Sequence, residues 1–446
     1  MRKILIVTLI VFCFSILFAD NFLTIYNDNQ ALYKTNFELD LKKGIHFYAF
    51  ENIPTQIVTE SVIFESKDNN VMLFSQNYEY DFASSAKMIR KYIGKSVRLI
   101  TSNNELYEGL LMFYDSSNYG LLTESTNEFN MISTPKVQNI YLSEMPTDFY
   151  IKPTLRWEIS AQNDGTYPVE LAYLTSGLQW RATYNITLNK NDLDLNSWVT
   201  INNYSGKDFE DIKLKLIAGS VQTYTSSIKR SKQSFRVVAN EENLDAAPTF
   251  EEKEFSDYRL YTLDQKADID NNQEKQLALY PTKTATYKRI YQYRVSQSEV
   301  DVLISFKNSK EDGLGVPLPK GNVNFYEIDE SDHTAQFVGV NSINHTSINE
   351  EIKLKIGTAF DLVPKTTVVS SERFGSVTET IYEVKISNNK SDAATVVVYA
   401  GARYRNYEIM NASILVNKID AFTYSFDVNL APSETKTFTF TERITH

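Results

Sequence analysis

Apolar residues recur at every second position along most of this chain, and a period of two is what a strand with one buried face imposes. Phe37, Leu39 and Leu41 alternate with polar neighbours before a turn at Gly44, and Ile45 and Phe47 resume the pattern. The same alternation runs through Trp180, Ala182, Tyr184, Ile186 and Leu188, and through Ile212, Leu214 and Leu216 against Lys213 and Lys215. It returns at Tyr382, Val384 and Ile386, and at Phe438 and Phe440 among threonines. A chain patterned in this way is expected to be mainly β. A helical stripe is clear in one place, after Asp81 as N-cap, where Met88, Ile89, Tyr92 and Ile93 share a face before Gly94 ends it.

Five short strand-like runs follow that helix: Ser96 to Thr101, Leu106 to Tyr114, Tyr119 to Thr123, Phe129 to Ser133 and Val137 to Leu142. A helix feeding five short strands predicts a small SH3-like or Sm-like barrel over residues 81–143. The phrase GLLMFYDSSNYGLL from Gly109 loosely matches the Sm strand and loop, but no basic-glycine pair follows in the later loop. A second feature is a recurring hairpin phrase built on an Asn-containing turn. It reads VTINNYSGKDFEDIKLKLI from Val199, LISFKNSKEDGLGVPLP from Leu303 and VKISNNKSDAATVVVYA from Val384. Repeated hairpins of this kind predict immunoglobulin-like β-sandwich domains in 144–225 and 277–446, with a further β domain in 20–80. Between them, 226–276 is dense in Glu and Asp with little periodicity and is expected to be a mobile acidic insertion or linker.

The N-terminus has the order of a secretory leader: Arg2 and Lys3, a greasy stretch from Ile4 to Phe18, then Ala19 before polar Asp20. About fifteen residues fall short of the roughly 20 needed to span a bilayer as a helix, so a cleaved leader over 1–19 is expected rather than a retained anchor or transmembrane span. Cys13, the one cysteine in the chain, sits in mid-core of that stretch rather than at a lipoprotein cleavage site. A chain cut after Ala19 has no disulfide and no thiolate site, and stability has to come from buried surface. Loss of Arg2 and Lys3 would take the formal charge from −11 to −13, a balance that repels phosphate backbones and speaks against nucleic acid.

Motifs for catalysis are sparse. His46, His333, His345 and His446 are scattered, none at metal-ligand spacing, and Ser220 and Ser376 lack the flanking glycines of a nucleophile elbow. The alternating carboxylates of Asp192 to Asn196 suggest calcium, yet Leu193 and Leu195 between them read as a strand with one polar face. Glu327, Asp329, Glu330 and Asp332 read as an acidic hairpin tip, and GLGVPLPKG, from Gly313 to Gly321, as a stiff loop at a sheet edge. Trp157, Trp180 and Trp198 are expected in the core. The residues singled out for ligand contact are Tyr287, Lys288, Tyr291 and Tyr293, where aromatic and basic side chains interleave along one strand. An exposed strip of that kind can stack on sugar rings or grip an acidic polymer, whereas strand alternation alone would turn Tyr291 and Tyr293 into the core. No cofactor or metal is expected.

Several phrases occur in the order seen in one family: QNYEYDFASSAKMIRKYIGKSV, KPTLRWEIS, YLTSGLQWRATYNITL, INNYSGKDFEDIKLKLIAG, GLGVPLPKGNVNFYE and IGTAFDL. By these the chain, from about Ile25 to Thr439, resembles the mucoidy-inhibitor-like exported bacterial proteins that carry the domain of unknown function 4139. It departs from members with a long coiled coil, since no sustained heptad is present. The resemblance implies export and β-rich domains and supplies no catalytic residues. The resulting expectation is an exported envelope protein, periplasmic or at the cell surface, that binds envelope polysaccharide or another envelope protein without turnover. The alternative is a hydrolase of envelope polysaccharide using a carboxylate pair.

Overall fold

The computed structural model describes residues 21–66, 70–81, 84–143, 149–219, 250–401 and 407–446. The expected leader over 1–19 lies outside them, as does the 226–249 part of the expected acidic insertion. Among the described residues the chain is mainly β, arranged in several sheets, and no helix is long and apolar enough to cross a membrane. Two compact units are present, one built on 21–179 with 202–215 and 266–273, the other on 180–201, 216–265 and 274–446.

In the first unit, strands Asn21–Tyr26, Gln30–Leu41, Gly165–Ser176 and Ile63–Ser66 are neighbours in that order, all antiparallel. A three-stranded sheet, Gly44–Glu51, Thr154–Ala161 and Val71–Glu79, shares their core. Trp157 on its central strand is fully buried, with Phe37 stacked at 6.3 Å, Phe50 at 5.6 Å and the edge of Phe64 at 5.1 Å. Its indole Nε1 donates to Gln76 Oε1 at 2.8 Å, so the one polar atom of the ring is satisfied inside the aromatic cluster.

The five strands expected after the helix are present as Ser96–Thr101, Leu106–Tyr114, Asn118–Thr123, Glu128–Ser133 and Val137–Leu142. They form one antiparallel sheet in which the last strand pairs with the first. The helix is shorter than its apolar stripe implied, Ser85–Arg90; it buries Ile89 against that sheet, and Tyr92 in the turn after it is buried there too, while Ile93 is exposed. Ser84 is the N-cap, its hydroxyl accepting from Lys87 N at 3.2 Å. Asp81, expected in that role, instead accepts from Tyr150 N at 2.8 Å and pairs with Lys91.

In the second unit a six-stranded sheet and a four-stranded sheet pack face to face. Val396, Val398, Phe426 and Val428 from the one meet Val384, Ile386, Phe438 and Phe440 from the other, and Phe426 lies 5.1 Å from both Phe438 and Phe440. A further sheet brings Leu178–Leu188 alongside Gly321–Ile328 as a parallel pair.

Two expectations fail here. Residues 250–276, assigned to the loose acidic insertion, form the hairpin Phe250–Phe255 and Tyr258–Ile269 and the start of Gln273–Thr286. Tyr261, Leu263, Ala267 and Ile269 are buried on one face, and Asp264 and Asp268 are the outward half of the same pattern. Trp198, expected in the core, is 37 % exposed: up to Val199 the strand buries Leu193, Leu195, Ser197 and Val199, Trp198 falls in the other phase, and both phases become buried only from Thr200 on.

Candidate binding site

Within the second unit four separate segments line an open-sided cavity of about 420 Å3. One wall is the loop carrying Pro317, Leu318 and Pro319, and beside it stand His345, Thr346 and Ser347. The lining also includes the hairpin whose tip is Ser256 and Asp257, with Glu254, Tyr258, Arg259 and Tyr261 from its two strands. Ala218 and Gly219 close it.

The proline loop is held from behind by phenol hydroxyls. Tyr184 donates to Pro319 O at 2.7 Å and Tyr280 to Pro317 O at 2.8 Å, with Tyr261 OH at 3.5 Å from the same Pro317 carbonyl. Trp180 backs Tyr261 edge-on at 6.2 Å, and its Nε1 donates to Ile217 O. Burial raises the phenols of Tyr184, Tyr261 and Tyr280, the last two further influenced by one another, so all three remain neutral donors. Prolines have no N–H to give a sheet, and a loop containing two of them keeps its carbonyls available for such side-chain donors.

From the other side the loop is tied to 344–350. Leu318 and Thr346 exchange backbone bonds at 2.9 Å in both directions. Asn308, fully buried, donates from Nδ2 to Val316 O at 2.7 Å and Ser347 O at 3.0 Å, and its Oδ1 accepts from Val316 N. His345 Nδ1 accepts from Lys320 N at 3.2 Å. Burial first, and then the charge of Lys320, lowers the imidazole below its ordinary value. The ring is therefore neutral near pH 7, and with Nδ1 acting as acceptor the proton sits on Nε2. Gly313 makes the turn into this loop possible, since a Cβ there would lie 1.9 Å from Thr284 O. Gly219 has the same effect beside the hairpin, where a Cβ would meet the Tyr258 ring at 2.5 Å.

Among the lining side chains, Arg259 is engaged with Glu252 at 2.9 Å across the hairpin, with Glu254 also contributing to its raised pKa. Glu254 and Asp257 are exposed carboxylates at the rim. The carboxyl that burial pushes up, Glu442, lies beside Tyr407, and neither residue lines this cavity.

The residues singled out from sequence do not assemble into an open strip. Tyr293 is enclosed in the core between the two facing sheets, its hydroxyl bonded to Thr366 Oγ1 at 2.8 Å and to Gln297 O. Tyr291 packs against the same core and receives a bond from Lys390 Nζ at 2.6 Å, the ammonium also lying over its ring. Tyr287 donates to Asn189 O, while Lys288 is exposed and Arg289 pairs with Glu327 at 2.7 Å. The alternating carboxylates at Asp192 and Asp194 accept from Asn189 Nδ2, and Asp194 also from Thr284 Oγ1 at 2.6 Å. Asp329 and Asp332 cap their own turn through Ser331 and Thr334. No group of three or more His, Cys, Asp or Glu able to hold a metal is found among the described residues.

Sequence reasoning did not find this cavity. Its one available signal was the phrase GLGVPLPKG, whose two prolines mark backbone that cannot pair as a strand. Searches against family models and against curated proteins found no match to this chain.

Proposed function

We propose that the chain is an exported protein of a bacterial envelope that works by binding, with no cofactor and no turnover. The observation that carries this reading is how the chemically able groups behind and beside the cavity are employed. The hydroxyls of Tyr184 and Tyr280, the amide of Asn308 and the Nδ1 of His345 all hold backbone in place. None of them is left as a nucleophile with a base beside it, the arrangement covalent catalysis requires. A rigid wall with a few polar groups around it suits recognition.

The leader-like residues 1–19 and the resemblance to the mucoidy-inhibitor-like family support placement in the periplasm or at the cell surface. The facing sheets of the second unit fit an immunoglobulin-like sandwich, and the sheet of 96–142 with its helix fits a small SH3-like barrel. The ligand in this reading is an envelope polysaccharide. Incubation of the purified protein with envelope polysaccharides and peptidoglycan, scored for retention and for new reducing ends, tests it. Retention without cleavage is the expected result. Time-dependent cleavage abolished by substituting Glu254 or Asp257 would establish the carboxylate-pair hydrolase instead.

A further inference from the structure

Resting on the binding reading above, we infer that the cavity between the Ser256–Asp257 hairpin tip and the Pro317–Pro319 loop takes a neutral sugar unit of a glycan chain. The C–H face of the sugar lies on Tyr258 and the proline loop, and its hydroxyls meet Glu254, Asp257 and His345.

Five features converge on that ligand class. The volume of about 420 Å3 is at the low end of the range for small-molecule sites, room for one or two hexose units. The Tyr258 ring, partly exposed beside the buried Pro317, Leu318 and Pro319, offers the apolar surface that a sugar's C–H face can cover and an ion cannot.

The polar groups are of both kinds. Glu254 and Asp257 only accept hydrogen bonds when ionised, and His345 with its proton on Nε2 only donates there. A hydroxyl does both, so a ring of hydroxyls satisfies this mixture where a purely anionic or purely cationic ligand leaves one kind unmatched.

Charge sets the sign of the preference. The guanidinium of Arg259 is already held by Glu252, and the two rim carboxylates repel phosphate, sulfate or uronate groups. The walls are also fixed before any ligand arrives, by the tyrosine hydroxyls and the Leu318–Thr346 bonds, so little ordering cost falls on binding.

The chain has four histidines, so a histidine-labelled sample gives a sparse NMR spectrum in which His345→Gln identifies one ring. Titration of the purified protein with trisaccharides of glucose, galactose, mannose and N-acetylglucosamine is expected to shift the His345 signal saturably with at least one of them. Trigalacturonate is expected to leave it in place. Asp257→Ala and Glu254→Ala, which alter exposed side chains and leave the wall intact, are each expected to weaken the sugar about tenfold, the loss of one hydrogen bond to a charged group. Absence of a saturable His345 shift with every neutral trisaccharide overturns the proposal, as does a shift indifferent to both substitutions. A shift produced by spermidine and by no sugar makes this a cation site. Polysaccharide retention that persists while His345 stays silent overturns the cavity assignment and leaves the binding reading standing; new reducing ends overturn the binding reading itself.

Discussion

Asn203 and Asn388 make the same bond in two different hairpins: each donates from Nδ2 to a carbonyl four residues on, Lys207 O at 2.8 Å and Asp392 O at 2.9 Å. Both are fully buried, both accept on Oδ1 from the backbone N–H two residues on, and both reach a second carbonyl outside the turn, Ile269 O and Ala431 O. Asn308, in the third copy of the recurring phrase, also bonds two carbonyls and one N–H, but spans a wider loop: Val316 O and N eight residues on, and Ser347 O.

Replacing Asn388, itself fully buried, by Ala leaves two carbonyls and one N–H without their partner. The expected cost is about 2 kcal/mol, given roughly 1–3 kcal/mol for a buried group left unsatisfied and recovery through water at the exposed Asp392 and Ala431. Chemical denaturation followed by a probe in the second unit measures it; a change below about 0.5 kcal/mol, the size of an ordinary surface substitution, would show that the amide is not what fixes the turn.

His345 stabilises the Lys320 amide only while its Nδ1 is unprotonated. Its pKa in the folded state lies below the ordinary 6.5, so this stabilisation is whole above that value and is lost as pH falls through the lowered one. An NMR titration is expected to give a His345 midpoint below 6.5, with the Lys320 amide resonance moving at the same midpoint. A midpoint above 6.5, or a Lys320 amide that does not follow, contradicts the bond.

Lys207 lies over the rings of Phe209 and Tyr33 and donates to Asn52 O at 2.7 Å. Burial pushes its amine down to about 8, against the opposing charges of Asp208 and Glu210. A lowered lysine pKa means that the charged form is disfavoured in the fold. The stability it contributes is present above the ordinary 10.5 and is lost as pH falls through about 8. Reductive methylation followed by peptide mass spectrometry should give Lys207 a pH profile centred near 8, and a profile like that of the exposed Lys288 would rule the shift out.

Tyr184→Phe removes the donor to Pro319 O from a fully buried site and should cost roughly 1–3 kcal/mol. Because the same bond fixes a cavity wall, the variant should also weaken any ligand bound there. Unchanged stability in denaturation would mean that the loop does not depend on this hydroxyl.

Much of the architecture was legible because period-two alternation survives wherever one strand face is buried. The five strands of 96–142 emerged within a residue or so at each end, and Trp157 and Trp180 are in the core as the pattern implied. The hairpin of 250–269 was missed because its outward positions carry carboxylates so densely that Tyr261, Leu263, Ala267 and Ile269 no longer stood out. Trp198 was misplaced because residue type was weighed above phase. The cavity was illegible for a different reason: its lining comes from Ala218, Tyr258, Pro317 and His345, which are distant in the chain, and only the fold brings them together.

Hydrogen–deuterium exchange of the purified protein, with and without the polysaccharide it retains, tests most directly whether this cavity is where the protein binds. Added protection is expected in 313–320 and 344–347, the two loops joined by the Leu318–Thr346 bonds, and around the Ser256–Asp257 tip. Protection confined to Lys288–Arg294 or to the sheet face bearing Phe47 and Met72, with these loops unchanged, would contradict it.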